Sequence, residues 1–151
     1  MNIKLGDFAD PRVKALLKDH LEGMHAASPP GHVFALDWSE LQKPGISFYT
    51  GWEGETLVAI GALKDLGGGH GEIKSMRVPK SHLGKGHGEA MLRYIIAQAR
   101  RRCMNRLSLE TGSGPAFEPA LKLYSKHNFQ SGAAFADYQK SEFCEFFHRE
   151  L

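Results

Sequence analysis

Three glycines at alternate positions, Gly84, Gly86 and Gly88, separate a strand-like segment from a helical one. The exposed N–H groups at the start of a helix carry partial positive charge and suit a phosphate or pyrophosphate. Glycine lets the backbone approach such an anion without a side chain in the way. Further donors or positive charges lie nearby, on Lys80, His82, Lys85 and His87. The spacing therefore predicts an anion-binding turn, although a tight turn that needs glycine for its own φ angles would show the same pattern.

The spacing excludes two common phosphate-binding loops. The P-loop pattern is absent because Gly84-Lys85 lacks the earlier glycine at the required distance and a following Ser or Thr. The dinucleotide fingerprint G-x-G-x-x-G is also absent, since these glycines are spaced by two. A dinucleotide-binding turn follows the first strand of a doubly wound sheet, whereas three strand-like runs precede this turn. The turn by itself does not indicate which phosphate-containing ligand binds there.

The segments around the turn predict which elements position it. Apolar residues recur from Gly88 to Ala99 at helical spacing, and Asp10-Pro11 is typical of the start of an earlier helix over 11–27. A short third helix with Pro119 in its first turn is expected to end at Asn128 in the left-handed conformation. Residues 37–41 are a candidate helical turn. Strands are predicted at 3–5, 46–52, 56–63, 72–78, 106–110, 133–138 and 143–148.

This order of elements predicts an α+β fold with three layers, α/β/α. One strand–helix–strand crossover lies inside a mixed, mostly antiparallel sheet. The 151 residues suit a single domain over 1–151. With 42% hydrophobic and 24% charged residues, the composition is that of a soluble globular protein.

Charge and apolar patterning exclude several classes of partner. The formal net charge is only +2, and the arginines at 100–102 are placed to stabilise a helix C-terminus, so we expect no nucleic-acid partner. No apolar run approaches the roughly 18 residues needed to span a bilayer, and the N-terminus lacks a signal-peptide core. We therefore expect no membrane partner and a cytoplasmic location. Cys103, Cys144 and the histidines lack metal-ligand spacing, which predicts no metal site.

Several of these segments resemble a known family. Residues 76–79 (MRVP), 83–88 (LGKGHG) and 90–92 (AML) look like the acetyl-coenzyme-A motif of the GCN5-related N-acetyltransferase (GNAT) superfamily. Gly86 and Gly88 match its core pattern, while Leu83 stands where Gln or Arg is usual. Leu121-Tyr124 with Asn128-Phe129 is similar to the family's Leu-Tyr…Gly-Phe signature. The stretches 109–112 and 117–120 resemble a branch of small bacterial acetyltransferases, mostly of undefined substrate.

The resemblance implies a sheet with a splayed central pair of strands and acetyl-CoA as cosubstrate, with no metal. The amides of pantetheine would pair with an exposed strand backbone, as an added strand does. That backbone maps onto Met76, Arg77 and Val78. The pyrophosphate would bind the N–H groups of Leu83, Gly84, Lys85, Gly86, His87 and Gly88.

The resemblance also implies direct transfer of the acetyl group to a primary amine, with Tyr124 as the general acid for the leaving thiolate. Helical periodicity alone would make Tyr124 a core residue. An alkylamine with a pKa of about 10 must lose a proton before it attacks. Glu72 is the first candidate base, directly or through a water, and Glu110 is the second. A solvated or paired carboxylate is the alternative for both, and His70 or water is the alternative base.

The sequence leaves the acceptor open. We expect a small-molecule amine; the alternatives are a protein or peptide amine, or a non-catalytic acyl-CoA-binding module. A homodimer is compatible with the sequence. The acceptor pocket is expected to draw on the first helix, residues 28–44 and the last strands, with Phe34, Trp38 and Phe135 as apolar candidates. Each of these aromatics could equally belong to the core.

Overall fold

The computed structural model describes residues 1–29 and 38–151. Its strands are β1 (Asn2–Leu5), β2 (Ile46–Glu53), β3 (Thr56–Gly67), β4 (His70–Arg77), β5 (Arg106–Thr111), β6 (Gln130–Ser131) and β7 (Glu145–Glu150). Its α-helices are α1 (Pro11–Ala27), α2 (His87–Arg101) and α3 (Glu118–Lys126). Short 3₁₀ turns lie at Glu40–Gln42, Lys80–His82 and Pro115–Phe117. The described residues form one seven-stranded sheet in the order β1-β2-β3-β4-β5-β7-β6.

The sheet is covered on both faces, which makes three layers. On one face, α2 and α3 pack on a core that includes Ala59 and Leu63 of β3. On the other face, α1 packs on a core that includes Ile60 and Ala62 of the same strand. This alternation is the period of two that places neighbouring strand residues on opposite faces. The predicted α+β, three-layer fold with a mostly antiparallel sheet is confirmed.

The predicted splay lies between β4 and β5, the one parallel pair among the described strands. These strands pair from His70–Arg106 to Glu72–Ser108. Beyond that register, within the described part of the chain, they separate. The separation leaves one side of the remaining β4 backbone without a strand neighbour.

A β-bulge shapes the separated part of β4. Ala62 of β3 lies opposite Lys74, and Ile60 lies opposite Arg77, so two residues of β4 face one of β3. Ser75 in the bulge has a left-handed φ of 56°. Bulges of this kind re-aim side chains and are common beside active sites.

The prediction was wrong in the C-terminal segment. Residues 133–138 form a loop and turn instead of a strand, closed by a hydrogen bond from Tyr138 N–H to Phe135 O at 3.1 Å. The turn brings the rings of Phe135 and Tyr138 to 5.1 Å from each other, whereas residues three apart in a strand point to opposite faces. The next strand begins at Glu145 rather than 143, since Cys144 N–H is held by Ser141 Oγ at 3.1 Å.

Of two predicted turns, one lies slightly further along the chain than predicted and the other is confirmed. The short helical turn near 37–41 appears as the 3₁₀ turn Glu40–Gln42, and Asp37 lies outside the described residues. Asn128 follows α3 with φ of 66°, which confirms the predicted left-handed cap. The long helices also agree with the prediction: α1 spans Pro11–Ala27, and α2 starts at His87.

Candidate active site

A cavity of about 120 Å³ lies where β4 and β5 separate. Five elements contribute to its wall: α1, β4, β5, the 3₁₀ turn Pro115–Phe117 and α3. The lining residues are His20, Met24, Glu72, Ile73, Lys74, Ser75, Met76, Glu110, Thr111, Phe117, Ala120 and Tyr124. Both predicted catalytic residues and the second candidate base therefore lie at one cavity.

Glu110 lies on β5, two residues beyond Ser108, which is the last position at which β5 pairs with β4. Burial raises the pKa of its carboxyl to about 7, an effect that the positive charge of Lys74 and a hydrogen bond with Cys144 oppose. A carboxyl group with such a pKa exchanges a proton readily at neutral pH. Glu110 is therefore a partly buried carboxyl group at the cavity that can change its protonation state near pH 7.

Tyr124 lies on the inward face of α3 and is 7% exposed. Its ring meets that of Phe129 edge to face at a centroid distance of 5.8 Å. Burial, and then the negative charge of Glu110, raise the pKa of the phenol to about 12. The phenol is thus kept protonated across the physiological range, close enough to Glu110 to respond to its charge.

Glu72 has a different environment from Glu110, although both line the cavity. It is 2% exposed, and its Oε2 accepts a bond from Lys74 Nζ at 3.1 Å and one from Tyr138 O–H at 2.6 Å. Lys74 Nζ also donates to Tyr138 Oη at 2.5 Å. A buried carboxylate held by an ammonium and a phenol is a satisfied ion pair. This geometry suits an anchor for Lys74 better than a free proton acceptor.

Tyr138 was missed by sequence reasoning. Burial and the neighbouring Glu72 raise the pKa of its phenol above the ordinary value. Its partners lie far away in the chain, on β4. No local pattern signals this contact, because it depends on how the loop after β6 folds over the sheet.

A second polar network lies on the same sheet face, at the paired end of β4 and β5. The buried Ser108 hydroxyl lies 2.6 Å from His70 Nε2 and 2.6 Å from His148 Nδ1. His148 Nε2 lies 2.7 Å from Ala133 O, to which it must donate, so a neutral His148 accepts from Ser108 through Nδ1. Ser108 in turn accepts from His70. His70 is thus tied into a network that holds the C-terminal loop.

The α1 side of the cavity contrasts with these networks. His20 and Ser75 are 6% and 8% exposed. Among the described residues, neither His20 Nδ1 nor Ser75 Oγ has a hydrogen-bond partner. Burial, and then the charge of Arg77, lower the pKa of His20 to about 4, so its imidazole is neutral at pH 7.

The glycine turn leads from β4 into α2. Gly84 and Gly86 have φ of +76° and +82°, and a Cβ built on either meets no atom within 4 Å. Within the described chain, no side chain caps the N-terminus of α2 at Gly86. Open space, left-handed backbone and uncapped N–H groups are the conditions for anion binding. His82 and His87 flank the turn with their rings 6.1 Å apart.

The other predicted cofactor residues fall into two groups. Met76 lines the cavity, and Val78 packs against the main core. The guanidinium of Arg77 pairs with Asp19 at 3.2 Å, which leaves its backbone as the part available to a ligand. Leu83, Lys85 and Gly88 belong to the turn itself: Leu83 is 61% exposed, Lys85 is exposed, and Gly88 is half-buried beside Val78.

The aromatic candidates for the acceptor pocket lie elsewhere. Trp38 packs edge to face on Phe8 at 5.3 Å, and Phe135 packs in a cluster under the C-terminal loop. Neither is among the described residues that line the cavity. Phe34 lies outside the described residues.

The described residues contain neither a metal-binding cluster nor a membrane-spanning helix. In residues 1–29 and 38–151, no group of three or more His, Cys, Asp or Glu side chains is arranged to hold a metal ion. Over the same ranges, no helix is both long and apolar enough to cross a bilayer.

Comparison with known proteins connects this site to a family. Residues 13–129 match the family model described as Acetyltransferase (GNAT) family. The N-acetyltransferase YsnE of Bacillus subtilis (strain 168) is 45% identical over 151 residues, which cover 100% of both chains.

Two solved structures resemble the fold. An acyl-CoA N-acyltransferase from Klebsiella pneumoniae superposes with a TM-score of 0.80 at 25% identity, over 99% of this chain and 97% of that one. A Bacillus subtilis acetyltransferase in complex with CoA superposes with a TM-score of 0.70 at 20% identity, over 99% and 98% of the two chains.

Proposed function

Because the chain belongs to the GNAT family of acetyltransferases, we propose that it moves an acetyl group from acetyl-CoA directly to a primary amine of a small molecule. The observation that carries this proposal is the pair of groups at one cavity. Glu110, with a pKa of about 7, accepts a proton at neutral pH, and Tyr124, with a pKa of about 12, retains one. A base that takes the proton of the amine and an acid that donates to the sulfur each accelerate amine acetylation.

The glycine turn and β4 fit the expected cosubstrate. Acetyl-CoA supplies an activated acetyl thioester, a pyrophosphate and two amides in its pantetheine arm. The N–H groups of residues 83–88, at the uncapped start of α2, suit the pyrophosphate. The backbone of Met76, Arg77 and Val78 follows the bulge on the side that β5 has left, where an extended chain with amides can add as a strand.

We assign the role of general base to Glu110 and a positioning role to Glu72. Glu110 accepts the proton that the attacking amine must lose. Glu72 fixes Lys74 through their ion pair. The charge of Lys74 opposes the rise in the pKa of Glu110, while the charge of Glu72 adds a smaller increase. Without the charge of Lys74, burial would move the carboxyl further from the pKa range useful near pH 7. Glu72 as the base, directly or through a water, is the competing assignment.

Tyr124 is the proposed general acid. A thiol has a reference pKa of about 8.5, so the sulfur that leaves the acetyl group is a weaker base than a phenolate. A phenol of pKa about 12 nevertheless stabilises the departing sulfur by donating its hydrogen bond, and its proton as the bond breaks. Tyr124 lines the same cavity as Glu110, so one group takes a proton from the amine while the other gives one to the sulfur.

A thiol-release assay with acetyl-CoA and a panel of amines tests this function. The panel contains alkylamines, polyamines, amino acids, aminoglycosides and peptides with a free N-terminus, and mass spectrometry identifies each acetylated product. We expect a small amine to be acetylated with turnover. Turnover on peptides alone would contradict the small-molecule acceptor. Tight acetyl-CoA binding without any product would identify a non-catalytic binding module.

A further inference from the structure

Two polar side chains on the α1 side of the cavity have no assigned role in the reaction. His20 comes from α1 and Ser75 from the bulge of β4, and both line the cavity that holds Glu110 and Tyr124. His20 Nδ1 and Ser75 Oγ lack hydrogen-bond partners among the described residues, although both side chains are more than nine-tenths buried. Two separate elements thus direct unsatisfied polar atoms toward one space.

A buried donor or acceptor without a hydrogen-bond partner destabilises a folded protein. Natural structures retain few such groups, and those that persist often have a ligand or a catalytic partner. Elsewhere on this sheet face, Glu72, Lys74 and Ser108 are hydrogen-bonded, and Arg106 Nε, which has no hydrogen bond, forms an ion pair with Glu150 at 3.4 Å. His20 and Ser75 are therefore the groups at this cavity that a bound acceptor would satisfy.

The charges around these atoms indicate which ligand chemistry they accept. His20 is neutral, so it offers an N–H or a lone pair without a charge. The positive charge of Arg77 reaches His20, and Lys74 lines the same cavity. Both cations are paired, Arg77 with Asp19 and Lys74 with Glu72, so the uncharged groups of His20 and Ser75 remain to bind a ligand, and their N–H and O–H suit a carboxylate or carbonyl oxygen.

Resting on the proposed function, we infer that His20 and Ser75 bind a carboxylate or amide carbonyl oxygen of the acceptor. The acceptor is then an amine that carries such an oxygen close to the amine, as amino acids and amino acid amides do. Its amine lies toward Glu110, and its oxygen lies toward α1. Plain alkylamines and polyamines lack the group that this side of the cavity recognises.

Matched acceptors test this assignment. For several side chains, the free amino acid, its amide and its decarboxylated amine are compared by kcat/KM with mass detection of the product. We expect the acid or the amide to exceed the decarboxylated amine by about 10-fold or more. The ratio of acid to amide shows which oxygen is the natural one. Equal kcat/KM for the decarboxylated amine, or a preference for polyamines, would overturn the inference.

Variants of the two residues locate the effect. His20→Phe removes the polar atom and keeps a flat ring, whereas His20→Asn keeps a polar atom near the position of Nδ1. We expect His20→Phe to raise KM for the preferred acid or amide about 10-fold and to leave the KM for the decarboxylated amine and for acetyl-CoA unchanged. His20→Asn should restore most of the loss. His25→Phe, on the exposed side of the same helix, is the matched control.

Ser75→Ala removes only a hydroxyl and serves as the second variant if His20→Phe does not fold. It should raise KM for the acid or amide several-fold with thermal stability retained. An increase in KM for acetyl-CoA alone would show that Ser75 contacts the acetyl group of the cosubstrate, and it would overturn the assignment of Ser75 to the acceptor subsite. Equal losses for acids and decarboxylated amines in His20→Phe would overturn the role of His20.

A binding measurement separates this inference from the proposed function. If no acceptor gives product, the proposed function fails. Calorimetric titration of the wild-type protein with acid and decarboxylated amine, in the presence of CoA, still decides the acceptor subsite. Preferential binding of the acid that is lost in His20→Phe would support it. Equal binding of the two ligands, or no binding of either, would contradict it.

Discussion

The two ends of the β4–β5 pair differ in how their polar groups are used. At the paired end, Glu72 is bonded to Lys74 and Tyr138, and Ser108 bridges two histidines. At the separated end, the pKa of Glu110 is raised to about 7, and the polar atoms of His20 and Ser75 have no partner among the described residues. Glu72 and Ser108 are 2% and 0% exposed, whereas Glu110 is only partly buried. The difference indicates that the paired end stabilises the fold while the separated end is prepared for ligands.

This contrast makes opposite predictions for variants of the two ends. Variants at the separated end should lower activity and spare stability, because their side chains have few internal partners. Variants at the paired end should lower stability and spare turnover.

The largest effect is expected for Tyr124→Phe, at the separated end. The change keeps the ring and its contact with Phe129 and removes only the hydroxyl. We expect kcat to fall by about 10²–10⁴-fold because the leaving sulfur loses its proton donor. Thiol-release assays measure the rate. Calorimetry should show an unchanged affinity for acetyl-CoA, and thermal unfolding should show an unchanged stability. Full activity would make Tyr124 a structural residue.

Gly86→Asp tests the turn that extends the separated end. It places a negative charge and a side chain beside the proposed pyrophosphate site, at a φ of +82°. We expect acetyl-CoA affinity measured by calorimetry to fall by about 10-fold or more, since a favourable helix-terminus interaction becomes a repulsive one. Gly54→Asp is the matched control, because Gly54 also has positive φ, +58°, and open space around a Cβ. If the two folded variants bound acetyl-CoA with equal affinity, the cosubstrate would not bind at this turn.

The smallest effect on activity is expected for Tyr138→Phe, at the paired end. It removes the hydroxyl that bonds Glu72 and Lys74. We expect the free energy of unfolding to fall by about 1–3 kcal/mol in urea titrations, because a buried charged group loses a hydrogen bond. The value of kcat should stay within about threefold, since a catalytic proton transfer would contribute far more. If Tyr138→Phe lost as much activity as Tyr124→Phe and kept its stability, the proposed difference between a stabilising paired end and a ligand-binding separated end would be contradicted.

Sequence patterns predicted the elements whose signals are local. The helical stripe from Gly88 to Ala99 and the proline after Asp10 depend on spacing within one segment, and both helices formed there. The resemblance to the family indicated Tyr124 as the general acid, while the sequence offered Glu72 as the first candidate base and Glu110 as the second. The C-terminal strand prediction failed because the aromatic residues at 133–138 pack as a turn on the sheet, which no local pattern reports.

The sequence could not show which of the two carboxylates, Glu72 or Glu110, is the better candidate base, for the same reason. Glu72 and Glu110 lie on strands joined by a long crossover, and their difference comes from tertiary partners. Tyr138 reaches Glu72 from a loop 66 residues further along the chain. Whether His20 and Ser75 find partners likewise depends on how α1 meets the bulge of β4. Burial and pairing, which set pKa values and ligand preference, appear only in the folded chain.

The dependence of activity on pH tests the assignment of Glu110 most directly. A base must be deprotonated to act, so kcat/KM, which reports the ionisation of the free enzyme, should rise as pH increases through about 7 when it is measured with an amine of high pKa. Glu110→Gln should lower kcat by about 10²–10⁴-fold and abolish this rise. Glu72→Gln should keep a rise with its midpoint at lower pH, because the negative charge of Glu72, which raises the pKa of Glu110, is lost while Lys74 keeps its positive charge. A rise near pH 7 that persists in Glu110→Gln and disappears in Glu72→Gln would contradict the account and make Glu72 the base.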